Sequence, residues 1–270
     1  MISTRKEMWK VNSKEVISEN VLEINNLSIS FGGLKAVQDV SFKLKNGELL
    51  GLIGPNGAGK TTLFNMLSGV YTPTSGEIIL DGQNVNGTRP DKLSKLGVAR
   101  TFQNIRLFDN LTVLDNVKLA MNQYMNYGML TGMFRLPNYW KEENEATEKA
   151  KEILELFDLE KYFRTFAGSL PYGAQRKLEI ARAMATRPKV LLLDEPAAGM
   201  NESETQDLMD SIRLIREKTG VSILLIEHDM NLVLGITERL IVLNYGEILA
   251  EGDPHDVISN KEVVKAYLGS

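Results

Sequence analysis

The sequence predicts an α/β protein, a parallel sheet with helices on both faces that is joined to a strand-rich first third and interrupted by a helical insert. Three observations carry this. Short β-rich runs crowd the first third, helical periodicity takes over between about Leu111 and Ala185, and continuous apolar runs then alternate with helical segments. The composition, 43% hydrophobic and 24% charged, excludes a disordered, collagen-like or coiled-coil chain. Lys and Arg number 31 against 35 Asp and Glu, a net charge of −4, and no basic stretch stands out, so nucleic acid is not an expected partner.

Residues 1–20 are polar without a sustained period and read as an extension, although Trp9 and Val11 are candidates for packing. The fold begins near Val21. Strands are expected over Val21–Phe31, Val40–Leu44, Glu48–Ile53 and Gly76–Leu80, punctuated by Gly32-Gly33 and by the turn-forming pairs Asn46-Gly47 and Asp81-Gly82. The core is expected over 21–103 and 179–270, with the helical insert at about 104–178. Within the insert, Ala146–Phe157 sets Ala150, Ile153, Leu154 and Phe157 on one face amid Glu and Lys. Beyond it the buried-type strands Val190–Leu193, Ser222–Ile226 and Arg239–Leu243 alternate with helical segments such as Glu202–Lys218. No apolar run approaches the roughly 20 residues of a membrane-spanning helix. Cys is absent, which removes disulfides, thiolate zinc sites and thiol catalysis, and the charged start Met1–Lys14 lacks the apolar core of a secretory signal. A reducing cytoplasm is the expected setting.

Gly54-Pro55-Asn56-Gly57-Ala58-Gly59-Lys60-Thr61 fits the phosphate-loop pattern and sits between the apolar run Leu49–Ile53 and the helical stretch Thr62–Ser68. Glycines let the backbone wrap tightly enough for successive N–H groups to face phosphate oxygens, and the following helix adds the positive end of its dipole. Lys60 suits the β- and γ-phosphates. Thr61 is placed to offer its hydroxyl to Mg²⁺, an ion that takes few protein ligands beside phosphate oxygens and water.

Val190–Leu193 runs into Asp194 and Glu195 at the carboxyl end of a buried strand, which in an open α/β sheet faces the ligand crevice. Asp194 is the candidate for the Mg²⁺ shell, and Glu195 for the base that orients and deprotonates a water attacking the γ-phosphate. An apolar strand ending in acids is by itself an ordinary solvated terminus; the phosphate loop gives it meaning. The base-reading motif of a GTPase is missing, since Asn260-Lys261-Glu262-Val263 lacks its Asp.

With these residues in place, the chain resembles an ABC transporter ATP-binding subunit over nearly all of residues 21–270. The resemblance implies a P-loop NTPase cassette, with a RecA-like parallel-sheet core, an antiparallel β subdomain and a helical subdomain. It makes Gln103, in Thr101-Phe102-Gln103, a Mg²⁺ and water contact that couples to a membrane subunit. His228, after the strand Ser222–Ile226, takes the place of the histidine that contacts the γ-phosphate, and Phe31 that of the aromatic stacked on adenine, although a core role for Phe31 remains open. Thr62 completes the phosphate loop. The segment Leu170-Pro171-Tyr172-Gly173-Ala174-Gln175 lies where the family commonly has Leu-Ser-Gly-Gly-Gln-Gln and closes over ATP held by the opposite subunit. Leu170, Gly173 and Gln175 match; Pro171 supplies neither hydroxyl nor N–H, but suits a first helical turn and is expected to help launch a helix over Ala174–Thr186. Ala197-Ala198-Gly199-Met200-Asn201 resembles the following loop with Asn in place of the usual Asp.

Arg100-Thr101-Phe102-Gln103, Pro196-Ala197-Ala198-Gly199, Ile226-Glu227-His228-Asp229-Met230 and Ala266-Tyr267-Leu268-Gly269 together look like one of the two ATPases of a branched-chain (hydrophobic) amino-acid importer. So does the long insert Asn122–Glu145. At its start and within it Met121, Met125, Met129 and Met133 recur at helical spacing near Tyr124, Phe134, Tyr139 and Trp140, equally suited to a partner surface or to internal packing, while Gly128, Gly132 and Pro137 argue against one continuous helix. The resemblance implies ATP and Mg²⁺ as ligands. It also implies a second ABC ATPase as hetero- or homodimer partner, two transmembrane permease subunits, a solute-binding protein acting indirectly, and a peripheral place on the cytoplasmic face of the membrane. With its own phosphate loop, Glu195 and His228 intact and its signature weakened, this subunit is expected to hold the better hydrolytic site. A related urea or amide importer ATPase, or a soluble ABC ATPase outside transport, is the alternative.

Overall fold

The computed structural model describes residues 19–122 and 137–268. Trp9, Val11, Tyr124, Met125, Gly128, Met129, Gly132, Met133, Phe134 and Gly269 lie outside them. Two sheets organise the described chain. The first is antiparallel, built from β1 (Asn20–Phe31), β2 (Leu34–Lys45), β4 (Ser75–Leu80) and β5 (Gln83–Asn84) in the order β2-β1-β4-β5. β2 begins at Leu34 rather than Val40, because as an edge strand it needs only the backbone ladder Ser30↔Lys35 and Phe31↔Leu34, and its exposed start carries no apolar alternation to announce it.

The second sheet has the order β10-β9-β3-β8-β7-β6, made of β3 (Leu49–Ile53), β6 (Val98–Arg100), β7 (Val190–Asp194), β8 (Ser222–Ile226), β9 (Arg239–Asn244) and β10 (Glu247–Gly252). The strands from β9 to β6 pair in parallel and β10 closes the edge antiparallel. β3, β7 and β8 are buried along their whole length, as continuous apolar runs require when both faces are covered. Their alternate residues feed two cores. Val190 and Leu192 join Leu50, Leu52, Leu63 and Phe64 on one face, while Leu191 and Leu193 join Leu49, Leu178 and Leu208 on the other.

On the first face lie α1 (Lys60–Leu67) and the antiparallel sheet, with α2 (Pro90–Leu96) adding Leu93. On the second lie α3 (Val113–Met121), α4 (Pro137–Glu155), α5 (Tyr172–Met184), α6 (Glu202–Thr219) and α7 (Met230–Ile236). Ala150, Ile153, Leu154 and Phe157 are all buried, as their spacing predicts, and so is Met121. Trp140 is 51% exposed, and Pro137 opens α4, where a missing N–H costs nothing. α5 starts at Tyr172 rather than Ala174, because Pro171 is its N-cap (φ −55°, ψ 151°) and places the next two residues in the first turn. Two short helices, α8 (Pro254–Ser259) and α9 (Lys261–Leu268), finish the chain, with Val257 and Val263 packed on Ile53, Leu240 and Val242. Among the described residues no helix is long and apolar enough to cross a membrane.

Candidate functional site

Strand register sets the site. Leu52 pairs with Ile226 and Ile226 with Asp194, so β3, β8 and β7 end level with one another, and the segments that follow them leave from one edge of the sheet. Those segments carry the phosphate loop, His228 and Glu195.

The loop turns from β3 into α1 through Gly59, the N-cap of the helix at φ 103°. A Cβ on Gly59 would stand 2.6 Å from the Ala36 carbonyl, so backbone packs where no side chain fits. Lys60 is only 7% exposed and donates from Nζ to the carbonyls of Gly54 (2.5 Å) and Pro55 (3.0 Å). Burial lowers its pKa, and the nearby charges of Glu195 and Asp194 work in the other direction. A cleft of about 690 Å³ opens beside the loop, lined by Asn56, Gly57, Ala58, Gly59, Lys60, Thr61 and Thr62 together with Glu195, Tyr245 and Phe31. Phe31 is 44% exposed at this rim, edge-to-face with Tyr71 at 5.3 Å between ring centroids, and is therefore outside the core.

Three expected residues meet at one atom. Glu195 Oε2 accepts from Gln103 Nε2 at 2.8 Å and lies 3.0 Å from His228 Nε2. Gln103 reaches it because β6 runs beside β7 and Thr101 N–H donates to the Leu192 carbonyl at 3.0 Å. Asp194, one residue earlier, is buried and binds Arg100 through Oδ2 at 2.7 Å. Arg100 was unremarkable in the sequence beyond its motif. It also donates to Asn65 Oδ1 and Ser68 Oγ on α1 and lies over the rings of Phe64 and Phe102, tying the acidic strand end to the phosphate-loop helix. Among the described residues no three His, Cys, Asp or Glu side chains cluster as a metal cage. Of the residues expected to hold Mg²⁺, Thr61 lines the cleft, Gln103 reaches it through Glu195, and Asp194 is paired with Arg100; their oxygens are of the hard kind that suits an ion keeping most of its waters.

Leu170, Gly173 and Gln175 lie apart from this cleft. Pro171 and Gly173 line a second one of about 270 Å³ with Met200 and Glu204, while the Gln175 amide donates to the Leu170 carbonyl at 2.9 Å. Tyr172 Oη donates to the Ala198 carbonyl at 2.8 Å, joining the start of α5 to the loop after Glu195. Asn201, the departure at the end of that loop, is the N-cap of α6 in a capping box with Glu204. Sequence reasoning missed Arg176, whose only signal was a charged residue on the inner face of α5. It is fully buried and donates to the carbonyls of Phe102 (2.8 Å) and Gln103 (2.7 Å) and to Glu179 (2.9 Å).

A phosphate loop at the mouth of a parallel sheet, faced by an acidic strand end and flanked by an antiparallel sheet and a helical layer, defines an ATP-binding cassette. A family model described as ABC transporter matches residues 37–198, and one described as branched-chain amino acid ATP-binding cassette transporter matches residues 247–270. The chain belongs to the ABC transporter family, among its ATP-binding proteins, and is an ATPase. It is 47% identical to the high-affinity branched-chain amino acid transport ATP-binding protein BraF of Pseudomonas aeruginosa, over 94% of this chain and 99% of that protein. It is 45% identical, over the same shares, to LivG of Escherichia coli, which carries the same description. Among solved structures, a nucleotide-free ATP-binding cassette from an ABC transporter superposes with a TM-score of 0.80 at 32% identity, covering 93% of this chain and all of the other. The ADP conformation of another such cassette superposes with a TM-score of 0.81 at 33% identity, covering 94% and 100%.

Proposed function

We propose that this chain is the ATP-hydrolysing subunit of an importer for branched-chain or other hydrophobic amino acids. The substrate class is supported by the relatives named above and by the match at residues 247–270. The convergence of Gln103 and His228 on Glu195 beside the phosphate loop is the observation that carries the mechanism. In this reading the loop N–H groups and Lys60 hold the β- and γ-phosphates, and Phe31 at the cleft rim takes the adenine. Thr61, Gln103 and Asp194 would hold Mg²⁺, which neutralises phosphate charge. Glu195 orients a water in line with the γ-phosphate and accepts its proton, while His228 and Gln103 fix the carboxylate and contact the phosphate and the water. Positioning and charge stabilisation then supply most of the rate enhancement.

Leu170, Gly173 and Gln175 serve a second cassette, whose nucleotide they close over. Two transmembrane subunits and a solute-binding protein complete the assembly, and the chain sits at the cytoplasmic face of the membrane. A groove of about 270 Å³ beside Gln103, lined by Val70, Leu93, Phe102 and Arg182 among others, fits the contact with a transmembrane subunit. In the assembled transporter Glu195→Gln is expected to lower kcat by about 10²- to 10³-fold with ATP affinity retained. Turnover unchanged by that substitution overturns the assignment, and a solute-binding partner that captures only urea or amides overturns the substrate class.

A further inference from the structure

Glu227, between β8 and His228, is a buried acid that the mechanism above leaves unused, at 3% exposure. Its two oxygens go to two different turns. Oε1 accepts from the Ala197 N–H at 2.8 Å, and Oε2 accepts from the N–H of its neighbour His228 at 3.1 Å. Ala197 lies in the turn after Glu195, which is closed by Ala198 N–H donating to the Glu195 carbonyl and Met200 N–H to the Ala197 carbonyl. That same turn receives the Tyr172 hydroxyl from the start of α5. Burial raises the Glu227 pKa, and the backbone N–H groups of Ala197, His228 and Asp229 pull it back. A carboxylate placed so deep is costly unless donors meet both of its oxygens, and here a donor from each turn does.

We infer that Glu227 is a positioning carboxylate that clamps the His228 turn to the turn following Glu195, so that His228, Glu195 and the segment held by Tyr172 move as one unit. The consequence rests on the roles proposed for Glu195 and His228; the clamp itself rests on the two hydrogen bonds. An acid is needed because two N–H donors converge: an amide offers one acceptor oxygen and turns its own donor against the other N–H.

Glu227→Gln in the full chain, within the membrane assembly it purifies with, tests this by two readouts. Amide hydrogen exchange is expected to quicken both in residues 194–201 and in residues 226–232, with the phosphate loop unchanged. ATP hydrolysis is expected to lose about 10-fold in kcat, with KM for ATP within about twofold of the parent value. Exchange that quickens in only one segment, an undiminished kcat, or a KM that changes in step with kcat overturns the inference. Glu227→Asp keeps the charge on a shorter arm and serves where the Gln variant does not fold. It is expected to loosen both segments and lose a smaller part of kcat; parental rates with both segments protected overturn the inference equally. Glu195→Gln run alongside separates the two ideas, since undiminished hydrolysis there overturns the proposed base, whereas the exchange of the two segments reports on Glu227 alone.

Discussion

Glu195 adopts φ 48°, a left-handed conformation that a residue with a Cβ visits rarely and holds only where its surroundings enforce it. Its N–H is fixed by the Ile226 carbonyl at 2.9 Å and its carboxylate by Gln103 and His228, so the side chain is aimed from both ends. The acid beside it is held differently. Arg100 and Asp194 form a pair with both side chains under a tenth exposed, and removing the cation leaves a charge with nowhere to go. Arg100→Met is expected to cost about 3–5 kcal/mol of unfolding free energy, and Asp194→Asn on top of it to recover a large part, measured by urea denaturation. At this scale the phosphate loop, Asp194 and Glu195 were readable from motif spacing and a strand end, whereas Gln103 and His228 were singled out only by resemblance to the family. Arg100, Arg176 and Glu227 were not readable, since their partners lie 94, 74 and 30 residues away and only the folded sheet brings them into reach.

The elements that frame the site depend on how they begin. α6 starts from Asn201, whose side chain accepts from Glu204 N–H at 3.0 Å while Glu204 returns a bond to Asn201 N–H. The Asn that departs from the family's usual Asp is thus an equally good cap, because either side chain offers the same acceptor. Asn201→Ala is expected to cost about 1 kcal/mol and Asn201→Asp less than about 0.5 kcal/mol in thermal unfolding. At the opposite end of β3, Glu48 binds Arg239, the first residue of β9, through both oxygens at 2.7 and 3.0 Å. Burial pushes the Glu48 pKa up, but Arg239 and the Lys45 N–H outweigh it and hold the carboxyl below its ordinary value. A carboxyl lowered by folding stabilises in full above its unfolded pKa and loses that contribution as pH falls through the folded one. From about pH 5 to pH 3 the parent protein is therefore expected to lose stability more steeply than Glu48→Gln, as followed by unfolding at several pH values. The strands β1, β3, β4, β7, β8 and β9 and the helices α1, α5 and α6 were readable from apolar runs and periodicity, while the short strands β5 and β6, the edge strand β10 and the short helices α2, α8 and α9 were too brief to leave a pattern. The early start of β2 was not readable, because a backbone ladder on a sheet edge leaves no hydrophobic pattern in the sequence.

Over the whole molecule, the alternation of Val190, Leu191, Leu192 and Leu193 between two cores explains why a continuous apolar run announced a covered sheet, for which helices were expected on both faces. One cover is a second sheet rather than helices alone, a pairing that arises from contacts far apart in the chain. The assembly has a scale of its own. Pro171 caps α5 where the family commonly has Ser, so, in the reading proposed above, the segment that closes over a partner cassette's nucleotide is without that Ser hydroxyl while the cleft around Glu195 keeps its groups. Pro171→Ser is expected to alter nucleotide turnover at the partner's site more than at this one, measured with each site inactivated in turn; equal effects at both would refute the asymmetry. The turn Tyr245-Gly246 between β9 and β10 has a consequence at this scale as well. Gly246 N–H donates to the Ala58 carbonyl of the phosphate loop at 3.0 Å, and its carbonyl accepts from Gln38 N–H of the antiparallel sheet at 2.8 Å. The turn is a washer seated between two plates, with the phosphate loop bearing on it. A tilt of one plate against the other strains the bond to Ala58 or the bond to Gln38, so the shape of the loop and the angle between the sheets are linked through Gly246.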